Sequence, residues 1–238
     1  MLLAVYVTLV VAAGGLALWA AGAPDPTLGL LPLLFWFLAN LLGEVLWLPA
    51  PKGRGYLSMA NAANIATLIL LPASTAVVLC AAAGLMADFV FRRRAWYQGL
   101  FNFGMCATTV YVASLLFHAL GGRADNVHDL ISPFNALPIF ATGVTYFLIN
   151  TGLVAGVVGL KTGGSVREVW RTSFAFPYEL AGAMVLNLLG YLFAILFLTW
   201  GYMSAFVAVI ATYFIRDAYV RYLRDAGIVD GANLDEAA

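Results

Sequence analysis

Residues 74–94 read STAVVLCAAAGLMADFVFRRR, an apolar run that ends in three consecutive arginines. An apolar helix of about 20 residues is long enough to cross the hydrocarbon core of a bilayer. Lys and Arg collect in the cytoplasmic loops of membrane proteins. The stretch therefore predicts a membrane-spanning helix whose C-terminal end faces the cytoplasm.

The composition of the whole chain agrees with this prediction. Hydrophobic residues make up 63% of the 238 residues and charged residues only 10%, whereas about 25% of a soluble domain is charged. The formal net charge is zero, so the chain lacks the excess of basic residues that binding to nucleic acid requires. We therefore expect a membrane protein that does not bind nucleic acid.

Similar apolar runs recur along the chain. Eight predicted segments cover residues 2–21, 28–48, 56–71, 74–91, 96–120, 136–160, 179–198 and 203–219. If they cross the membrane in turn from a cytoplasmic N-terminus, eleven of the twelve Lys and Arg residues fall on the cytoplasmic side, as the charge bias of short loops requires. The sequence therefore predicts an all-α, polytopic transmembrane bundle over residues 1–226 with both termini in the cytoplasm, followed by a short flexible tail at residues 227–238.

Two of these segments have alternative interpretations. The first ends in small residues before Pro24, as a cleaved signal peptide does, but it lacks the basic N-terminal region of such peptides. We expect it to remain as a helix. Little more than residues 199–201 separates the last two segments. A turn is expected there, because one continuous helix would place the C-terminal arginines outside.

Polar side chains are few within the predicted spans, and they fall in the cytoplasmic half of the membrane. Asn40 and Glu44 share one helical face, as do Asn61 and Asn64, and Asn102 lies near the start of the fifth segment. For the asparagines alone we favour a structural role, since Asn often hydrogen-bonds between packed helices. Glu44 favours function, because a carboxylate at membrane depth needs a cation, a proton or several donors. We predict a ligand-binding site formed by these five residues.

Two basic surfaces are predicted on the cytoplasmic side. Arg92, Arg93 and Arg94 end the fourth segment and are expected to contact anionic lipid or a partner. Asp88 precedes Arg92 by four residues, which fits an ordinary ion pair at the interface. The loop at residues 161–178 reads as an amphipathic segment and as a surface for a partner. Its candidate contact residues are Arg167, Trp170 and Arg171.

The sequence contains no recognisable catalytic motif. It has neither a zinc-binding H-E-x-x-H helix nor a G-x-S-x-G, Walker A or Rossmann glycine pattern. Its two histidines, His118 and His128, belong to the predicted outer side, far from Glu44. Cys80 and Cys106 lie in apolar runs and suit packing rather than a disulfide or metal site. We expect no enzymatic activity, no metal and no cofactor.

Several short elements in the middle of the chain resemble a known family. They are Asn61, Ala63, Leu68, Leu70 to Ala73, Ala81 to Gly84, Arg92 to Arg94, Leu100 to Asn102, and Leu120 to Gly122. Together they resemble the multi-helix membrane sensory domains that precede HD-GYP or GGDEF output domains in bacteria, over about residues 40–160. The resemblance implies a sensory role in a bacterial inner membrane. The sequence ends at Ala238 without either output domain, so we expect a stand-alone module that signals through a separate protein or a lipid.

Three functional interpretations remain open. The favoured one is a sensory or ligand-binding module whose partners are membrane lipids, a cytoplasmic or membrane protein and a small molecule. The second is a small-molecule transporter, or its membrane-embedded substrate-binding subunit, with the short third segment that stops at Pro72 forming the site. The third is a scaffold or assembly subunit that buries the small residues Ala81 to Gly84 against a neighbouring protein.

Overall fold

The protein is built mainly from apolar α-helices, which a computed structural model describes over residues 1–49, 56–174 and 177–225. The elements are α1 (Leu2–Ala21), α2 (Leu30–Val45), β1 (Trp47–Pro49), β2 (Tyr56–Ser58), α3 (Ala60–Leu70), α4 (Ala73–Met86) with its π-helical extension Ala87–Phe91, α5 (Trp96–Ala119), α6 (Val127–Leu130), α7 (Ala136–Thr162), α8 (Val166–Ser173), α9 (Pro177–Trp200) and α10 (Ser204–Asp225). Helices satisfy their backbone hydrogen bonds internally, as a chain surrounded by lipid must.

Several of these helices are suited to crossing a membrane. By length and composition, five segments of the described chain qualify: Leu2–Ala21, Ala73–Phe91, Trp96–Ala119, Pro133–Thr162 and Leu180–Tyr222. The chain is therefore a multi-pass membrane protein, as predicted. Helices α2 and α3 are apolar but shorter than the roughly 20 residues that a span needs. The count of eight segments and the cytoplasmic position of both termini stay predictions.

The long apolar stretch that ends the bundle divides at Gly201. This residue has a positive φ of 57°, which glycine adopts without steric cost, and it begins a 3₁₀ turn, Gly201–Met203. After the turn, α10 contacts β1, which follows the far end of α2. The predicted turn near residues 199–201 is therefore present, and α10 folds back along the bundle.

Helix α5 is the central element of the bundle. It packs against α1, α3, α4 and α7. The contact with α1 is close, because a Cβ atom on Gly14 would clash with the Cα atom of Gly104. Small residues allow helix backbones to approach in this way, and such contacts stabilise helix pairs in lipid.

A short pair of strands lies between α2 and α3. Strands β1 and β2 are antiparallel, with Trp47 opposite Ser58 and Pro49 opposite Tyr56. The sequence analysis placed Trp47 and Leu48 in the second helical segment and Tyr56 to Ser58 in the third, with Pro49 just beyond the second. Pro49 explains part of the difference, because the residue before a proline is disfavoured in helical conformation. The predicted topology counted Lys52 and Arg54 among the cytoplasmic basic residues. Both fall outside the described residues, as does the predicted tail at residues 227–238.

An aromatic cluster packs the bundle between α2 and α9. Trp36 is fully buried. Its ring centroid lies 4.9 Å from that of Phe197 and 5.3 Å from that of Phe193. Phe35 extends the cluster to Tyr202, in the turn before α10, at 5.2 Å. This packing ties the α9–α10 turn to the start of α2.

Candidate functional site

An arginine and two carboxylates form a charge network at one end of the bundle. Arg92 donates to Glu44 Oε2 at 2.7 Å and to Asp88 Oδ1 at 2.8 Å, and also to the backbone carbonyl of Glu44. The Arg92 side chain is only 13% exposed. Burial lowers the pKa of its guanidinium, but the charge of Glu44, with the hydrogen bonds to both carboxylates, outweighs this and leaves that pKa raised. Arg92 thus ties α2 to the end of α4.

The π-helical end of α4 places these arginines. In the π-helix, the N–H of Arg92 donates to the carbonyl of Ala87, five residues earlier, at 3.0 Å. Arg93 then adopts a φ of +47°, a left-handed conformation uncommon for a residue other than glycine. The chain bends so that Arg94 Nε lies 3.5 Å from Asp88 Oδ1, while Arg93 stays exposed. Arg92 and Arg94 therefore both contact the carboxylate of Asp88.

Asp88 is buried rather than placed at the surface. The predicted pair with Arg92 is present, but the Asp88 side chain is only 1% exposed. Its second oxygen accepts a hydrogen bond of 2.6 Å from Asn102 Nδ2 on α5. A buried ion pair is tolerated when further hydrogen bonds satisfy its oxygens. The i, i+4 pair was therefore predicted correctly, but its exposure at the surface was not, because Asn102 and Arg94 supply the donors that burial requires.

A cavity of about 1080 Å³ lies beside this network. This volume slightly exceeds the range typical of small-molecule pockets, about 300–1,000 Å³. Four of the five predicted ligand residues line it, namely Glu44, Asn61, Asn64 and Asn102. The N-terminal part of α1, residues 92–94 and Lys161 mark this end of the bundle, which we call the basic end.

The fifth predicted residue, Asn40, lies in the bundle core instead. It is fully buried. Its amide donates to the Trp36 carbonyl at 2.7 Å and to Thr67 Oγ1 at 2.8 Å. Its oxygen accepts a weak hydrogen bond from Cys80 Sγ at 3.7 Å. Asn40 therefore fastens α2 to α3 and α4, and the structure does not bring it into the cavity with Glu44.

The amides that do line the cavity differ in their hydrogen bonding. Asn64 donates to the hydroxyl of Tyr146 on α7 at 2.7 Å. Among the described residues, no hydrogen bond involves the side chains of Asn61 or Asn150, which both line the cavity. These two amides have donors and acceptors to offer a bound molecule. Tyr146 and Asn150 were outside the predicted site, because no pattern in the sequence pairs α7 with α3.

The side chain of Trp170 connects helix α8 to the cavity wall. Trp170 Nε1 donates to Thr151 Oγ1 on α7 at 3.0 Å. Thr151 and Phe174, the residue that follows α8, both line the cavity. Arg167 and Arg171 remain exposed on α8. The segment predicted to be amphipathic is therefore a helix that reaches the site through Trp170.

Comparison with known proteins identifies the family. Residues 56–220, more than half of the chain, match MASE9, a family of membrane-associated sensory domains. The chain belongs to the MASE9 family. The matched range of this MASE9 domain includes Asn61, Asn64, Asp88, Arg92 and Asn102. The prediction of a membrane sensory domain is therefore confirmed. No curated protein and no solved structure matches the chain.

Proposed function

We propose that this MASE9 domain senses a small molecule that binds in the cavity beside Glu44. The observation that supports this function best is the position of the cavity. It adjoins a buried charge network that joins three elements, α2, the π-helical end of α4, and α5. In the membrane, we place the basic end on the cytoplasmic side of a bacterial inner membrane, because of its lysine and arginine content.

The charge network supplies a switch. A ligand or proton that engages Glu44 weakens the ion pair between Glu44 and Arg92, while the pair between Arg92 and Asp88 persists. Removing one partner of a buried ion pair costs about 3–5 kcal/mol. A full reversal of a two-state equilibrium from 1:99 to 99:1 takes about 5.5 kcal/mol, so a change of about 3–5 kcal/mol covers most of that range. Occupancy near Glu44 therefore shifts α2 relative to α4 and α5.

Helix α8 and the C-terminal helix α10 carry the readout. Trp170 joins α8 to the cavity-lining residue Thr151, so movement of the wall reaches α8. The exposed Arg167 and Arg171 then face anionic lipid or a protein partner. Arg93 is exposed beside the network and is suited to the same role. A separate output enzyme of cyclic di-GMP metabolism is the partner class that the sensory resemblance implies. The chain itself performs no catalysis in this proposal.

The proposal is tested by hydrogen exchange on the full chain in lipid nanodiscs. The variant Glu44→Gln removes the charge that pairs with Arg92, and we expect faster exchange in α8 and around residues 87–94. Asp125→Asn removes one negative charge from an exposed loop and serves as the matched control. If Glu44→Gln and Asp125→Asn exchange alike in α8, the switch is not coupled to the readout and the proposal fails.

A transport function has one observation in its favour. Helix α3 has only 11 residues, and its Asn61 and Asn64 line the cavity, as discontinuous helices do in transporters. Purification with an ATPase subunit would favour transport, whereas purification with an output enzyme would favour sensing. The scaffold alternative has no such support, since Ala81 and Ala83 are fully buried within the chain itself.

A further inference from the structure

The charges that line the cavity are unequally matched. Arg92 is bonded to both carboxylates of the network, Glu44 and Asp88. Arg94 makes only a long contact of 3.5 Å to Asp88, and its side chain is 36% exposed. Lys161 also lines the cavity, and no ion pair among the described residues includes it. Among the described lining residues there are three cations and two carboxylates, and the excess positive charge lies with Arg94 and Lys161.

These two cations lie where the cavity opens. Lys161 belongs to the last turn of α7, and it is exposed together with the lining residues Trp96 and Tyr97. Toward the N-terminal end of α7, away from Lys161, the lining residue Tyr146 is only 4% exposed. The mouth of the cavity is therefore positively charged and flanked by aromatic rings, an arrangement that attracts an anionic group at a membrane interface.

Two helices contribute an apolar wall behind this mouth. Helix α1 contributes Leu3, Val7 and Val11, and α7 contributes Val154 and Val157. The amides of Asn61 and Asn150 face the same space. Asn150 precedes Lys161 by 11 residues, which corresponds to about 16 Å along a helix. A ligand that fills this space needs an apolar body with a polar group at each end.

We propose that the cavity binds an amphipathic anion whose carboxylate or phosphate contacts Lys161 and Arg94. Its apolar body lies against α1 and α7, and an oxygen at the far end contacts Asn61 and Asn150. This ligand class rests on the proposed function, in which the cavity binds a molecule, and adds the chemistry of that molecule. The anion comes either from a free amphiphile or from a membrane lipid.

The test uses two probes that differ in head-group charge. Radiolabelled 12-hydroxydodecanoate carries a carboxylate, and dodecane-1,12-diol replaces it with a hydroxyl group. Saturable binding is measured with the full chain in phosphatidylcholine nanodiscs, and binding to empty nanodiscs is subtracted. We expect the hydroxy acid to bind and the diol to compete poorly. Lys161→Gln and Arg94→Gln should each lower the affinity up to roughly fivefold, since a direct ion pair at a partly exposed site contributes up to about 1 kcal/mol.

Arg93→Gln is the matched control for the charge effect. Arg93 lies next to Arg94 in the sequence, is exposed and is not part of the cavity lining. We expect its removal to leave the affinity within about twofold, because screening weakens the effect of an exposed charge outside the site. An equal loss in Arg93→Gln and Arg94→Gln would overturn the proposal, since the effect would then come from general surface charge.

Further outcomes separate this inference from the function on which it rests. Equal binding of the two probes, unchanged in Lys161→Gln, would overturn the anionic ligand but leave a ligand-binding cavity. Absence of saturable binding would overturn the ligand class, while the exchange of α8 in Glu44→Gln would still decide the proposed switch. Nanodiscs that contain phosphatidylglycerol identify the source. Competition by that lipid indicates a membrane lipid, and unchanged binding of the hydroxy acid indicates a free amphiphile.

Discussion

The aromatic cluster and the basic end differ in how the interior of the bundle is filled. In the aromatic cluster, Trp36 is fully buried and packs against Phe193 and Phe197. At the basic end, helices α1, α5 and α7 provide most of the lining of a cavity of about 1080 Å³ beside buried charges. Close packing gives a protein interior its rigidity, whereas buried polar groups need specific partners. The comparison suggests that the aromatic cluster holds the helices together while the basic end changes its packing.

Truncation of the aromatic cluster should have the largest effect on stability. Trp36→Ala leaves a void among tightly packed rings, and we expect it to lower the free energy of unfolding by about 3–5 kcal/mol. Unfolding in mixed detergent micelles measures this loss. Trp200→Ala is the control, since Trp200 is 59% exposed and its truncation should cost less than about 1 kcal/mol. Equal losses in the two variants would show that the cluster is not the rigid part of the bundle.

Removal of a buried charge should be the next largest effect. Asp88→Ala removes one carboxylate partner of Arg92 and takes the acceptor from Asn102, and we expect a loss of about 3 kcal/mol in the free energy of unfolding. The same micelle unfolding measures it. Asp217→Ala breaks an ion pair with Arg221 whose arginine is 72% exposed, so it should cost less than about 1 kcal/mol. A small loss for Asp88→Ala would mean that the network is hydrated.

Substitution of two asparagines tests the same difference between core and cavity, with smaller expected losses in the free energy of unfolding. Asn40→Ala removes the hydrogen bonds to Trp36 and Thr67 in the dry core, and we expect a loss of about 2 kcal/mol in the free energy of unfolding. Asn61→Ala should cost about 0.5 kcal/mol or less, since Asn61 lines the cavity. Ligand binding should show the reverse order, with Asn61→Ala the more harmful variant. Similar effects on both quantities would remove the distinction between a structural amide and a ligand-binding amide.

The sequence predicts the helices well because their signal is local. The apolar run at residues 2–21 is the same as helix α1, and the prediction for residues 96–120 differs from α5 by one residue. The strands β1 and β2 were missed, since apolar runs of three residues do not distinguish a strand from a frayed helix end. The long apolar runs show which residues form each helix, but they do not show which face of the helix packs against its neighbours.

The candidate site was only partly predictable for that reason. Membrane depth follows from position along a span, so the sequence placed Glu44, Asn61 and Asn102 at one level, and all three line the cavity. Asn40 is one helical turn from Glu44, yet it meets Thr67 and the core. The bond from Arg92 to Glu44 depends on the π-helical turn and on the packing of α2, and neither has a signature in the sequence.

Loss of the contact between α8 and the cavity wall should cause the smallest change in stability, together with a local change in dynamics. Trp170→Phe keeps an aromatic ring but removes the donor to Thr151, and we expect a loss of about 1 kcal/mol. Hydrogen exchange should rise in α8 and change little around Trp36. Trp19→Phe is the control, because Trp19 is 80% exposed on α1.

A double-mutant cycle separates this contact from general effects of substitution. Thr151→Val removes the acceptor, so after either single change the second should add little, and the double variant should exchange like each single one. If the two changes add fully, Trp170 and Thr151 act independently. The basic end would then lack the physical link to α8 on which the readout depends, although Glu44, Arg92 and the cavity would be unaffected. The result therefore distinguishes a site that binds from a site that also signals.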